Sequence, residues 1–326
     1  MTCYEKGLLP MTVTPQFTAE TTNDGAFQRQ QYSIRDRITA DGSSGFKAEA
    51  GRYHLYVSLA CPWAHRSIIV RSLLGLEDVI TMSVVDPIRD ERGWAFTEGS
   101  GHGPDPVNGF KFLSEAYLKT DPTYTGRYTV PCLWDRQTQR FVTNNFPNIT
   151  LDMETQFMAF QRADAPDLYP KSLRPEIDAM NEVIYTDVND GVYKAGFAVS
   201  QEAYEAAVTK LFARLDILEH NLATHRYLVG NQFTEADIRL FPTLIRFDAV
   251  YFGHFKCNLR RLVDYPNLWG YAREIYQMPS VAPTVNFDHI KRHYYMTHDQ
   301  INPTRIVPLG PIMNWNEPHQ RGKVGQ

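Results

Sequence analysis

Six residues constrain this chain more than any others: Cys61-Pro62-Trp63-Ala64-His65-Arg66, placed where a strand-like run ends and a helix-like run begins. The run before them, Arg52 to Leu59, is rich in aromatic and β-branched side chains, as strands are. Pro62 suits the first helical position, where its missing N–H would have been unpaired anyway. Ile68, Ile69, Val70, Leu73 and Leu74 continue the helix, and Gly75 is placed to stop it. A cysteine at such a start meets free backbone N–H groups and the positive end of the helix dipole, so we expect its thiolate to be favoured. Cys61 is therefore the candidate nucleophile, against the plainer reading of a small buried core residue.

A second strand, Val79 to Val85, follows, so the chain opens a strand–helix–strand unit whose crossover is expected to be parallel and right-handed. From Asp86 to about Arg127 Gly, Pro, Trp, His and Asp break the pattern into a long connection. Val130 to Trp134 and Arg140 to Thr143 read as an antiparallel hairpin, and a helix is expected over about 148–160. Pro131 is awkward inside a strand. Either the Val130–Pro131 bond is cis and turns the Val130 backbone groups toward an extended ligand, or an ordinary edge proline stands there. Residues 1 to about 50 read as a polar, irregular arm over this α/β domain. After Asp164-Ala165-Pro166-Asp167, a natural linker, apolar residues recur at helical spacing, and Thr234-Glu235-Ala236-Asp237 has the arrangement of a helix start.

With 326 residues, 43% hydrophobic and 21% charged, the composition is that of an ordinary globular protein of about two domains. A net charge of −4 gives no reason to expect nucleic acid or an anionic membrane surface, so small molecules are the expected partners. The first residues read without a secretory signal and no run approaches the roughly 20 apolar residues of a membrane span, so we expect a cytoplasmic protein. Cys3, Cys61, Cys132 and Cys257 are too scattered for a disulfide framework or a zinc site; no metal is expected. Cys132, inside a strand, reads as core. With no resolving cysteine near Cys61, an external small thiol would do the resolving. His65 either tunes the thiolate or packs, and Arg66 and Arg71 are read as a solvated face or local ion pairs.

Taken together, Cys61 to Arg66, Gly93-Trp94-Ala95-Phe96, Asn189 to Phe197 and Ile301 to Pro311 resemble the xi-class glutathione transferases, the glutathionyl-hydroquinone reductases. The resemblance runs over about residues 45–315. It implies a thioredoxin-like α/β N-terminal domain (with the arm, 1–163), then an all-α glutathione-transferase C-terminal domain with an extended tail (172–326). It also implies a homodimer, with no bound cofactor and glutathione or a related thiol as cosubstrate. In such enzymes the cysteine, here Cys61, takes the sulfur of a glutathionylated hydroquinone, and a second thiol frees it. Trp94, Arg127 and the backbone of Val130 would hold the thiol. Tyr193 and one of Tyr294 or Tyr295 would line an aromatic pocket. These enzymes usually place a Glu-Ser pair at the next helix start, where this chain has Asn145 and Phe146. That change removes a carboxylate and a hydroxyl, so we expect a thiol without a γ-glutamyl head group, such as mycothiol, the alternatives being weak use of glutathione or a helix start shifted by a residue or two. The competing readings are a general thiol transferase or reductive dehalogenase, and a non-catalytic carrier of aromatic ligands.

Overall fold

The computed structural model describes residues 20–325; Cys3 and the first part of the arm lie outside the described residues. Strand β1 (Tyr53–Val57) is buried along its whole length, which is why it reads as a continuous apolar run rather than an alternating one. It pairs in parallel with β2 (Ile80–Val84), Leu55 opposite Met82, and antiparallel with β3 (Cys132–Asp135), Leu55 opposite Leu133. β4 (Arg140–Thr143) completes a sheet of order β2-β1-β3-β4. The polar His54 in the middle of β1 is satisfied across the sheet, Nδ1 with Thr81 Oγ1 at 2.6 Å and Nε2 with Ser83 Oγ at 2.8 Å. Burial, then the nearby Arg136, pushes its pKa down to about 4, so it stays neutral.

Helix α1 (Pro62–Leu73) carries Pro62 at its start and ends ahead of Gly75, whose φ of +68° is the left-handed geometry of a helix stop. The arginines expected on a solvated face are not there. Arg66 is 1% exposed, stacked over Trp63 and Phe146, and donates to Asn189 Oδ1 at 2.7 Å. Arg71 is half-buried and donates to the carbonyls of Ile80 and Glu77. The cause is that α1 lies between two layers, so its outward side is covered by helices far along the chain.

The long connection contains a short helix, α2 (Leu113–Thr120), that the pattern of Gly and Pro hides. The helix expected over 148–160 begins earlier: α3 is Phe146–Thr155, preceded by Asn145, with Pro147 in its first turn and a separate 3-10 turn at Met158–Phe160. Across residues 20–50 the chain forms only isolated bridges, but Phe27, Ile38, Phe46 and Ala48 are buried in the main core.

The second half is helical: α4 (Arg174–Ile184), α5 (Gly191–Gly196), α6 (Gln201–Asn221), α7 (Glu235–Arg246), α8 (Pro266–Tyr276) and α9 (Phe287–Thr297). Wide π turns join α4 to α5 and follow α7. Thr234 and Asp237 close the start of α7 as the pattern required, Asp237 Oδ2 accepting from the Thr234 N–H at 2.8 Å. One buried arginine on α7 ties the two halves together. Arg246 donates to the carbonyls of Leu59 at 3.0 Å and Ala60 at 2.9 Å and bonds His65 Nδ1 at 3.0 Å, holding the turn that presents Cys61.

Candidate active site

Cys61 opens onto a cavity of about 600 Å³ between the sheet layer, the arm and the helices. Its Sγ donates to the Val130 carbonyl at 3.3 Å, and the Val130–Pro131 bond is cis. The strand after the long loop thus brings an acceptor against the helix start that carries the thiol. Burial pushes the thiol above its ordinary range, although the N–H groups of Ala64 and Trp63 and the guanidinium groups of Arg246 and Arg29 pull the other way. The helix start alone therefore does not produce a thiolate here; desolvation outweighs it. His65 does not touch the thiol: it bonds Thr284 Oγ1 at 2.8 Å as well as Arg246, and burial keeps it neutral.

Trp94, from the long connection, lines the cavity and stacks on His293 at 5.0 Å with the planes 23° apart. Arg127 lines it too, in an ion pair with Glu20 of the arm at 2.5 Å. Tyr193 on α5 and Tyr294 on α9 share a hydrogen bond between their hydroxyls, and Tyr251, from the π turn after α7, bonds the Tyr294 hydroxyl at 2.9 Å. Burial holds both cavity tyrosines well above the ordinary phenol range, so each is a neutral donor. Tyr295 points elsewhere and donates to the Ala249 carbonyl at 3.2 Å, which resolves the choice between Tyr294 and Tyr295 in favour of Tyr294 as the wall residue. Asn145 and Phe146 are not among the cavity's lining residues, whereas Asn144 is. Asn145 stands at the N-cap position of α3 without a side-chain capping hydrogen bond, and Phe146, 3% exposed, packs on Trp63 at 4.9 Å.

Several lining residues escaped the sequence. Arg29 stacks over Trp63 and Tyr193 and pairs with Asp190 at 2.7 Å, yet it comes from an arm that carries no periodic signal. Arg89, over Trp94, and the neutral His293 and His298 are lone polar residues whose meeting only the fold reveals. Cys132 and Cys257 are buried free thiols away from the cavity lining. Among the described residues no cluster of three or more His, Cys, Asp or Glu is arranged to hold a metal ion.

A thiol at a helix start, facing a carbonyl before a cis proline, on a four-stranded sheet backed by a helical half, defines the glutathione transferase architecture. The family models for the glutathione S-transferase N-terminal and C-terminal domains match residues 60–156 and 201–274. Glutathionyl-hydroquinone reductase YqjG of Escherichia coli is 52% identical over 304 residues, covering 91% of this chain and 92% of that protein. The glutathione-bound structure of YqjG superposes with a TM-score of 0.86 at 51% identity, covering 91% of this chain and 97% of that one. The glutathione transferase Xi from Phanerochaete chrysosporium gives 0.87 at 50% identity over 90% of this chain and 95% of that one. The chain belongs to the glutathione S-transferase family, in the Xi class that includes the glutathionyl-hydroquinone reductases.

Proposed function

We propose that the protein is a cysteine-dependent reductase that removes a low-molecular-weight thiol of the glutathione kind from S-conjugated hydroquinones. The observation that carries this is the Cys61 thiol in an aromatic-walled cavity, 3.3 Å from the Val130 carbonyl and faced by neutral tyrosine hydroxyls. The relatives' names, glutathionyl-hydroquinone reductase, and the glutathione-bound YqjG structure support the same reading.

In the first step the Cys61 sulfur attacks the sulfur of the aryl thioether. The carbon–sulfur bond breaks, a sulfur–sulfur bond forms, and the ring carbon gains a proton, releasing the hydroquinone. In the second step a free thiol attacks the mixed disulfide, restoring the Cys61 thiolate and leaving as a disulfide. The conjugate is reduced by two electrons and the two thiol moieties are oxidised, so no further reductant is needed. Val130 and Trp94 hold the thiol, while Tyr193 and Tyr294 donate to the quinol oxygens.

Two further assignments belong to this reading. Ile306, Leu309 and Ile312 of the tail are 69, 99 and 101% exposed, a row of apolar side chains that supports a homodimer built on this segment. No helix of the described residues is long and apolar enough to cross a membrane. The free, separated cysteines suit the reducing cytoplasm, where we place the protein.

The test is turnover of a glutathionyl hydroquinone by wild type and Cys61→Ala, with hydroquinone binding measured on both. We expect the variant to bind the ring and to release no hydroquinone; sustained turnover without the cysteine would contradict the proposal.

A further inference from the structure

Tyr193 and Tyr294 serve a quinol as donors, and the Tyr294 hydroxyl already shares two hydrogen bonds with its neighbours. A hydroquinone also brings hydroxyl protons of its own. Each needs an acceptor once the ring has left water, because a buried donor without a partner is costly.

His293 supplies one. It precedes Tyr294 on α9, lines the cavity and is 8% exposed. Its Nδ1 lies 2.8 Å from the Pro87 carbonyl, which can only accept, so the ring proton sits on Nδ1. Burial, with the Arg89 guanidinium nearby, pushes the imidazole down to about 3, so it carries no second proton. Nε2 is left as a bare lone pair. Among the described residues nothing donates to it, and packing does not seal it from the cavity. The ring is also fixed in place. Trp94 stacks on its face at 5.0 Å with the planes 23° apart, and the Tyr294 ring stands 5.3 Å away at 77° to it. The lone pair is thus held between the tryptophan assigned to the thiol and the tyrosine assigned to the quinol. His298 has no such definition: its Nδ1 shares a hydrogen bond of 3.1 Å with His254 Nε2, in which either ring can donate.

We infer that His293 Nε2 is the acceptor for a quinol hydroxyl and sets the specificity of the site for the reduced ring. This rests on the reading of a reductase acting on quinol conjugates. A hydroquinone hydroxyl donates to Nε2, whereas a quinone carbonyl brings a second lone pair against the first. The selection has a chemical consequence, because a quinone is an electrophile that alkylates thiols. A cavity that holds the reduced ring and repels the oxidised one spares Cys61.

The test compares a glutathionyl hydroquinone with its two mono-methyl ethers, each capping one hydroxyl, on wild type and His293→Phe. The phenylalanine ring keeps the stack on Trp94 and removes the acceptor. For wild type, kcat/KM for one of the ethers should lie about tenfold below that for the free conjugate, the worth of one hydrogen bond. In His293→Phe the free conjugate should fall to the level of that ether, while the ether's own kcat/KM stays unchanged. Equal use of the free conjugate and both ethers by wild type would overturn the inference. So would an equal loss for every substrate in the variant, which is what a purely structural histidine gives. A binding readout does not need turnover: in Cys61→Ala, hydroquinone should bind about tenfold more tightly than its dimethyl ether, and adding His293→Phe should erase the difference. Equal binding of the two by Cys61→Ala overturns the acceptor whatever the kinetics. The difference in binding without any turnover by wild type removes the reductase reading and keeps the acceptor.

Discussion

Cys61 is held between two opposed effects, burial that disfavours its charge and a helix start with two guanidinium groups that favours it. Burial wins in the free protein, so the thiolate fraction grows only above the ordinary thiol range. Alkylation of Cys61 by iodoacetamide should accordingly still be rising above about pH 10, where an unperturbed cysteine has levelled off. A plateau below pH 8 would show that the helix start dominates instead. The three tyrosine hydroxyls make a second claim at this scale. Tyr294 joins Tyr193 to Tyr251, so Tyr294→Phe breaks both links at once. Its kcat for hydroquinone release should fall about a hundredfold, within the usual range for a lost proton donor, while Tyr295→Phe stays near wild type.

The elements show what was legible and why the rest was not. The strand–helix–strand opening could be read because a fully buried strand leaves a continuous apolar run and Pro62 marks the helix start. Helix α2 could not, being eight residues inside a stretch broken by Gly and Pro. Arg66 and Arg71 were misplaced because a charged side chain defaults to solvent. The Asn189 that receives Arg66 lies 123 residues along the chain, and local pattern carries no such information. Tyr193 and Tyr294 entered through family resemblance; their spacing in sequence says nothing of a shared hydrogen bond. Arg246 is the strongest case of this kind. Its replacement by Leu would leave the Leu59 and Ala60 carbonyls and His65 without their donor in a buried place, costing about 3 kcal/mol by chemical denaturation. The same halves set an acid limit. His54 is depressed to about 4 from the ordinary 6.5, so the unfolded chain takes up a proton first and stability is lost as pH falls through that window. The loss from this group should be about 2 kcal/mol by pH 5, read as a falling Tm between pH 7 and 5 that His54→Gln reduces.

For the molecule as a whole, the arrangement joins a thiol-bearing α/β layer to a helical layer that supplies the aromatic wall, with the arm closing one side and the tail leaving apolar residues in water. Leu309 and Ile312 contribute little to the fold of one chain at their exposure, so Leu309→Asp/Ile312→Asp should leave the far-UV circular dichroism unchanged, convert the proposed dimer to a monomer by light scattering, and remove the concentration dependence of the Tm. The central claim is that the reaction passes through a disulfide on Cys61. Mixing the protein with a hydroquinone thioether in the absence of free thiol, then quenching with acid, allows intact-mass and peptide analysis of the first turnover. The account predicts one equivalent of hydroquinone and the mass of one thiol on the peptide carrying Cys61, removed by reductant and absent in Cys61→Ser. Hydroquinone released with Cys61 unmodified would contradict it.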